Sequence, residues 1–164
     1  MPDTTKVRFA VIGCGRIGKR HAEMIVRNPS AELVALVDIR PKSELGLDAY
    51  GHIPFFHSTE AFFASETSCD VVNICTANGL HASHALMSLH AKKHIVVEKP
   101  LTLNKKDAEK IIATSLHVGR NVFTVMQNRY SPPSIWLKEI IESGRLGKVY
   151  NVHLCCYWNR DDRY

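Results

Sequence analysis

The sequence predicts an α/β fold with a doubly wound parallel sheet, followed by the start of a truncated second α+β domain. Three observations carry this prediction. Apolar runs of strand length alternate with helical repeats, a glycine-rich turn joins the first run to the first repeat, and the alternation stops after Arg129. We therefore place one domain at residues 1–127, and a linker helix with the first strand of a second domain at residues 128–164.

The first strand, turn and helix form a Gly-x-Gly-x-x-Gly motif. The apolar run 7–12 enters the turn, and apolar positions at helical spacing follow it. Gly13 suits the tight turn, Gly15 lets a pyrophosphate approach the main chain, and Gly18 lets the helix pack closely on the strand. The spacing is typical of the Rossmann dinucleotide-binding fold, so we expect all three glycines to contribute to a cofactor site.

Two further features support a dinucleotide site. Arg16 and Ile17 open the helix, whose first N–H groups would face the phosphates. A second apolar run, 33–37, ends at Asp38, twenty residues after the last glycine, where this fold places the carboxylate that binds the adenosine ribose. Asp38 favours NAD(H), because a carboxylate repels the 2′-phosphate of NADP(H). Arg40 leaves NADP(H) open as the alternative, since its side chain could bind that phosphate.

The remaining elements of the first domain follow at short intervals. We predict a helix at 41–50, a strand at 53–56, a helix capped by Ser58, a strand at 69–75, a helix at 81–90, a strand at 94–97, a helix at 105–117 and a strand at 121–125. Ligands bind beyond the carboxyl ends of such strands. The unusual polar segments 76–79, 98–100 and 127–129 all follow a predicted strand, and one crevice could collect them.

The pattern changes beyond Arg129. The prolines of the segment 131–133 break the alternation, and a helix with apolar positions then ends near Gly144. The segment 147–158 is extended and largely apolar. We expect the part from 148 to 158 to be the opening strand of another sheet, covered by something outside residues 1–164.

Composition excludes several classes of protein. The 164 residues are 45% hydrophobic and 23% charged, with neither a run long enough to span a membrane nor an apolar secretion segment, which predicts a cytoplasmic protein without membrane partners. The five cysteines lack paired spacing and predict reduced thiols. The net charge of +5 is scattered, which favours a small anionic ligand over a nucleic acid.

Three segments, Thr76-Ala77-Asn78-Gly79-Leu80-His81, Val97-Glu98-Lys99-Pro100-Leu101 and Gln127-Asn128-Arg129-Tyr130, carry a family resemblance. The chain resembles the glucose-fructose oxidoreductase, inositol dehydrogenase and rhizopine-catabolism (Gfo/Idh/MocA) family. These NAD(P)-dependent oxidoreductases act on a ring carbon of sugars and polyols. The resemblance covers essentially the whole chain. It implies that the full-length protein continues through a second domain with further catalytic residues and is a homo-oligomer.

A narrower resemblance concerns the substrate. The segments 127–129 and 157–160 are similar to dehydrogenases that oxidise C3 of UDP-N-acetylglucosaminuronate (UDP-N-acetyl-2-amino-2-deoxyglucuronate) in surface-polysaccharide biosynthesis. An inositol or free-sugar dehydrogenase is the alternative within enzymes. A nucleotide-binding module without catalysis is the alternative from another class; an intact Glu-Lys-Pro turn disfavours it, and the missing second domain favours it.

The resemblance also implies roles for individual residues. Lys99 would donate a hydrogen bond to the reacting hydroxyl or carbonyl and relay its proton, and partial burial would favour its uncharged form. Arg129 and Arg160 would bind an anionic substrate. Cofactor contacts are expected at Thr76, Asn78, His81, Glu98 and Gln127. One departure is Ala77, where the family commonly has proline.

Each of these residues also has an ordinary structural interpretation. Lys99, Arg129 and Arg160 could be solvated side chains, although the position of Lys99 between a carboxylate and a proline at a strand end favours a catalytic role. His81 and His84 lie three apart at a helix start and could be read as metal ligands. Two histidines without a third ligand are weak evidence, so we predict no metal and expect His81 to support the cofactor loop.

Overall fold

The computed structural model describes residues 6–159 and 161. Contacts within the chain divide it into two units, the first ending at Met126 and the second beginning at Gln127.

The first unit is built around one six-stranded sheet in which every paired strand is parallel. Its elements are β1 (Val7–Ile12), α1 (Arg16–Arg27), β2 (Ala31–Val37), β3 (Phe55–Phe56), α2 (Thr59–Ala64), β4 (Val71–Ile74), α3 (His81–His90), β5 (His94–Val97), α4 (Lys105–Val118) and β6 (Val122–Thr124). The strand order β3-β2-β1-β4-β5-β6 reverses direction at β1, which opens a crevice at the carboxyl ends of β1 and β4. The predicted doubly wound sheet is confirmed.

Both faces of the sheet are covered, as its apolar strands require. On one face Ile12 packs in a cluster with Phe62 of α2 and Ile111 of α4. On the other face Val11 packs with Ile25 of α1 and with apolar residues of the loop after β2. Neighbouring residues of β1 thus contribute to opposite layers, because successive side chains of a strand point to opposite faces.

The register of the sheet brings the predicted site residues to one edge. Ile12 pairs with Val37 on one side and with Ile74 on the other, so the glycine turn, Asp38 and the loop after β4 begin at the same level. Ile74 also pairs with Val97, which places Glu98 at this edge. Four segments predicted from the sequence to belong to a site therefore begin at this edge of the sheet: the glycine turn, Asp38, the loop after β4 and the turn at Glu98.

Side-chain caps mark the starts of two of the five α-helices among the described residues, α2 and α4. The Ser58 side chain accepts a hydrogen bond from the Ala61 N–H at 3.0 Å, so the predicted cap of α2 is confirmed. Asn104 caps α4 in the same manner by accepting from the Asp107 N–H at 2.9 Å. Gly119, with φ +63°, ends α4 in the left-handed conformation.

The helix predicted at 41–50 is wrong. The structure has two separate 3₁₀ turns there, Lys42–Glu44 and Asp48–Tyr50. Gly46 lies between them with φ +59°, which no continuous right-handed helix allows. The loop is stabilised instead by the Lys42 ammonium, which donates to the carbonyls of Tyr50, Gly51 and Ile53 at 2.9, 3.3 and 3.2 Å.

The second unit contains a 3₁₀ turn at Gln127–Tyr130 and the helix α5 (Pro132–Glu142), which begins with two prolines at positions that need no N–H donor. Residues 148–158 form no strand in the structure, and none of them joins the described sheet. A strand needs a neighbour for its backbone hydrogen bonds. The prediction placed that neighbour outside residues 1–164, so the strand stays a prediction. The apolar side chains of this segment are exposed. Among the described residues, no helix is long and apolar enough to cross a membrane.

Candidate functional site

A cavity of about 330 Å³ lies at the carboxyl ends of the central strands. Gly13, Gly15, Asp38 and Thr76 line it, as expected of a site built from the ends of β1, β2 and β4. Arg40 also lines the cavity, where the sequence offered it as a possible partner of an NADP phosphate, and so do Ala77 of the segment 76–79 and His84, considered above only as a metal ligand. The remaining lining residues were not predicted to belong to a site: Ile12, Val37, Ile39, His57, Ser58, Thr59, Cys75 and Leu80.

The glycine turn is packed tightly on one side and open on the other. Gly13 has φ +87°, and a Cβ there would lie 2.7 Å from the backbone of Cys75. A Cβ on Gly18 would lie 1.8 Å from the Gly13 carbonyl oxygen. A Cβ on Gly15 would meet only the Arg40 guanidinium, at 3.9 Å. The open side of the turn thus has room for a ligand against the main chain.

Asp38 holds this arrangement together. Its side chain is only 8% exposed, and Oδ2 accepts a hydrogen bond from the Cys14 N–H at 2.8 Å. Oδ1 accepts from the Arg40 N–H at 2.9 Å and lies 3.4 Å from Arg40 Nε. A carboxylate oxygen has two lone pairs, so Oδ2 keeps one for a further donor such as a ribose hydroxyl. Asp38 therefore fixes the glycine turn and the Arg40 side chain at once.

The two cysteines at this edge are not reactive thiols. Burial, and to a lesser degree the Asp38 carboxylate, raise the pKa of Cys14 to about 12. Burial also raises the pKa of Cys75. Both thiols stay protonated near neutral pH and are not suited to nucleophilic chemistry.

The loop after β4 is fixed by His84. Its Nδ1 lies 3.1 Å from the Thr76 hydroxyl, and its ring lines the cavity. Burial lowers the pKa of His84, so the ring is neutral near pH 7. The signal that could have identified this residue is its place in the first turn of the helix that follows the loop.

His81 links this loop to the turn after β5. The ring is fully buried, with Nδ1 2.7 Å from the Pro100 carbonyl oxygen and Nε2 3.0 Å from the Thr76 carbonyl oxygen. A neutral imidazole carries one N–H, so the ring donates to both carbonyls only as the imidazolium. We therefore interpret His81 as a support for both segments, rather than as a residue with a free nitrogen for the cofactor.

Replacing His81 with leucine is expected to lower the free energy of unfolding by about 1 to 3 kcal/mol, because the leucine side chain has no N–H to donate to the Pro100 or Thr76 carbonyl group. Denaturant unfolding of the full-length protein measures this change. The exposed His90 at the end of the same helix provides the control, and His90→Leu should change stability by less than about 0.5 kcal/mol. Equal effects of the two substitutions would contradict the role of His81.

The Glu98–Lys99–Pro100 segment follows β5 directly. The Glu98 side chain is 13% exposed; Oε1 lies 3.1 Å from His21 Nε2, and Oε2 accepts a hydrogen bond from the Lys99 N–H at 3.1 Å. The peptide bond between Lys99 and Pro100 is cis. Partial burial of the Lys99 side chain was expected, and this is wrong. Lys99 is exposed, and the neighbouring Glu98 is the residue of this turn whose side chain is mostly buried.

The other predicted site residues do not line this cavity. Gly18 is buried beneath the turn, Asn78 is exposed, and Arg16 and Ile17 line a separate surface concavity with Lys19 and Arg20. Gln127 and Arg129 belong to the second unit, where Arg129 lines a concavity with Asn128, Tyr130, Ser134 and Lys138. Arg160 lies outside the described residues. Residues 6–159 and 161 contain no group of three or more His, Cys, Asp or Glu side chains that could hold a metal ion.

Comparison with known proteins places this geometry in context. Residues 7–125 match the sequence profile of GFO_IDH_MocA, an oxidoreductase family with the NAD-binding Rossmann fold. The chain is 32% identical to the myo-inositol 2-dehydrogenase of Thermotoga maritima over 154 residues, covering 90% of this chain and 44% of that protein. It is 29% identical to the D-glucoside 3-dehydrogenase of Escherichia coli, covering 90% of this chain and 42% of that protein.

A solved structure is similar over the same region. The WlbA dehydrogenase of Bordetella pertussis, crystallised in complex with NADH and UDP-GlcNAcA, superposes with a TM-score of 0.82 at 32% identity, over 88% of this chain and 45% of that one. The chain thus spans less than half the length of each of these three proteins.

Proposed function

Because the chain belongs to the Gfo/Idh/MocA oxidoreductase family with the NAD-binding Rossmann fold, we propose that it is the cofactor-binding part of an NAD-dependent dehydrogenase. The reaction is a hydride transfer between NAD and a secondary alcohol on the ring of a sugar or sugar nucleotide. One observation carries the proposal. The open glycine turn and the Glu98–Lys99–Pro100 turn lie at one edge of one parallel sheet, so a single extended ligand can reach both.

The residues at this edge fit a dinucleotide. A Cβ on Gly15 would meet only the Arg40 guanidinium, so the main chain at Gly15 is open to a ligand. The first turn of α1 has no acidic residue and no side-chain cap. Its N–H groups are therefore suited to a pyrophosphate. Asp38 would accept hydrogen bonds from the adenosine ribose, while Thr76 and Leu80 line the cavity beside it.

The chemistry divides between cofactor and protein. NAD, when bound, supplies the nicotinamide that takes up or gives back the hydride. Lys99 is exposed at the end of an anchored turn. In the direction of oxidation its neutral amine would accept the proton of the reacting hydroxyl, and the resulting ammonium would donate a hydrogen bond to the carbonyl oxygen of the product. Glu98 would contact the nicotinamide side of the cofactor.

For the substrate we propose UDP-N-acetylglucosaminuronate, oxidised at C3. The similarity to the WlbA dehydrogenase, whose structure contains UDP-GlcNAcA, supports this choice. An anionic ligand also suits the net charge of +5 and the guanidinium groups of Arg129 and Arg160. The similarity to a myo-inositol 2-dehydrogenase favours a second candidate, an inositol or free-sugar dehydrogenase.

The test is a substrate comparison with the full-length protein and NAD, followed by NADH absorbance. UDP-N-acetylglucosaminuronate should be oxidised with a kcat/KM at least about 10-fold above that of UDP-N-acetylglucosamine, which lacks the carboxylate, because a charged hydrogen bond to arginine is lost. Faster oxidation of myo-inositol or of a free sugar would replace the first candidate with the second. No oxidation of any of these compounds would contradict the proposal.

Asp38→Asn is expected to reduce the preference for NAD over NADP by about 10-fold or more, since the change removes the charge that repels a 2′-phosphate and weakens the bond to the ribose. It also leaves the Arg40 guanidinium without its anionic partner. Titration of both cofactors into the full-length protein measures the ratio of Kd values. Asp48→Asn, at an exposed aspartate of the following loop, is the matched control. An unchanged ratio would show that Asp38 does not select the cofactor.

A further inference from the structure

His21 lies in the second turn of α1 and is held between two polar side chains of neighbouring strands. Its Nε2 is 3.1 Å from Glu98 Oε1, at the end of β5, and its Nδ1 is 3.0 Å from the side-chain nitrogen of Asn73 in β4. The His21 and Glu98 side chains are only 14% and 13% exposed, and Asn73 is 5% exposed. The three side chains form a nearly dry hydrogen-bonded chain across the sheet edge.

The partners of His21 select one tautomer. Asn73 Nδ2 is a donor, so Nδ1 of the ring accepts and carries no proton. The proton of a neutral ring is then on Nε2, where it is donated to the Glu98 carboxylate. In a neutral ring, turning the Asn73 amide over would place its oxygen on Nδ1 and move the proton there, which leaves an unprotonated Nε2 facing the Glu98 carboxylate. The orientation in which Asn73 donates to His21 leaves Asn73 Oδ1 buried without a hydrogen-bond partner among the described residues, which is unfavourable for that oxygen.

The same carboxylate is part of the turn that carries Lys99. Glu98 Oε2 accepts the Lys99 N–H at 3.1 Å, while Oε1 is held by His21. Both oxygens of the Glu98 carboxylate therefore make a hydrogen bond, Oε1 with His21 of α1 and Oε2 with the Lys99 main chain. Without His21 the carboxylate could rotate toward the ammonium of the adjacent lysine and occupy it.

We propose that His21 is a positioning residue: as the Nε2–H tautomer it fixes the Glu98 carboxylate and thereby orients the Lys99 turn toward the substrate. The inference rests on the proposed function of Lys99. His21 would thereby connect α1, the helix proposed to face the cofactor phosphates, with Lys99, the residue proposed to face the reacting carbon, through the Glu98 carboxylate.

The tautomer can be measured without any turnover. Long-range ¹H–¹⁵N correlation spectra of the full-length protein should show His21 with a protonated Nε2 and an unprotonated Nδ1 near neutral pH. The exposed His90 provides the reference ring in the same spectra. A His21 ring protonated on Nδ1, or on both nitrogens, would overturn the proposal even if the enzyme is active.

Two amide substitutions separate positioning from packing. The His21→Gln side chain reaches the place of Nε2 and keeps a donor for Glu98, whereas the His21→Asn side chain reaches only the place of Nδ1. His21→Asn should lower kcat by about 10- to 100-fold, the usual effect of misplacing a reacting group by about an ångström. His21→Gln should restore kcat to within about 3-fold of wild type, and the Kd for NAD should change less than about 3-fold in both.

The Lys99 backbone amide resonance provides the second readout. It should move in His21→Asn and stay near its wild-type position in His21→Gln, while His90→Asn changes neither the resonance nor kcat. Equal losses of kcat in the Gln and Asn variants, or a parallel loss of NAD affinity, would overturn the proposal. If the wild-type protein oxidises no sugar, the proposed function fails, and the resonance together with the tautomer still decides whether His21 orients this turn.

Discussion

Lys99→Met in the full-length protein is expected to lower kcat by about 10²- to 10⁴-fold, the usual contribution of a positioned acid–base group, while the Kd for NAD stays nearly unchanged. The residues proposed for cofactor binding and for catalysis lie on different segments. The cavity is lined by the glycine turn and Asp38, whereas Lys99 projects from the turn after β5. Among the described residues its ammonium makes no hydrogen bond or ion pair, so removing it breaks no internal contact.

Chemical and positional controls sharpen this experiment. Methionine has a similar length but no ionisable group, so Lys99→Met should be as inactive as Lys99→Ala. Lys99→Arg should restore little of the kcat, because the guanidinium does not give up its proton. Lys106→Met changes an exposed lysine in the first turn of α4 and should leave kcat unaltered. If Lys99→Met retains more than about a tenth of the wild-type kcat, Lys99 only positions the substrate, and the acid–base chemistry belongs to a residue outside this chain.

The parts of the fold that were predictable from sequence are those determined by local patterns. Apolar runs gave all six strands, because a strand covered on both faces must be apolar nearly throughout. The Ser58 cap was predictable because capping depends on one side chain and the backbone three residues on. The helix expected after Asp38 was wrong, since its composition permits a helix but Gly46 and the long-range bonds of Lys42 favour turns.

The site was less predictable, because its geometry depends on contacts between distant segments. The glycine spacing and Asp38 were visible, but nothing local showed that Asp38 also binds the Cys14 N–H. His21 lies within the first helix, and nothing local showed that its ring bonds to Glu98, 77 residues away. The exposure of Lys99 was also missed, since the polarity of a turn residue does not determine how far it projects from the sheet.

Substitutions in the glycine turn are expected to distinguish a glycine needed for folding, Gly18, from a glycine proposed to bind the cofactor, Gly15. Gly18→Ala should lower the free energy of unfolding by about 3 kcal/mol or more, because its Cβ would overlap the Gly13 carbonyl oxygen at 1.8 Å, a backbone atom that cannot turn aside. Gly15→Ala should change stability by less than about 1 kcal/mol, since that Cβ meets only the flexible end of Arg40 at 3.9 Å.

Gly18→Ala should have the larger effect on stability, whereas Gly15→Ala should have the larger effect on the Kd for NAD, measured on folded protein. Gly15→Ala places a methyl group where the pyrophosphate would approach the main chain, so the Kd for NAD should rise by about 10-fold or more. Gly79→Ala is the control for stability, because a Cβ at Gly79 meets nothing within 4 Å and its φ is not positive. Denaturant unfolding and NAD titration of the full-length variants decide the matter. A stable Gly18→Ala protein would show that the turn can relax, and unimpaired NAD binding by Gly15→Ala would place the pyrophosphate elsewhere.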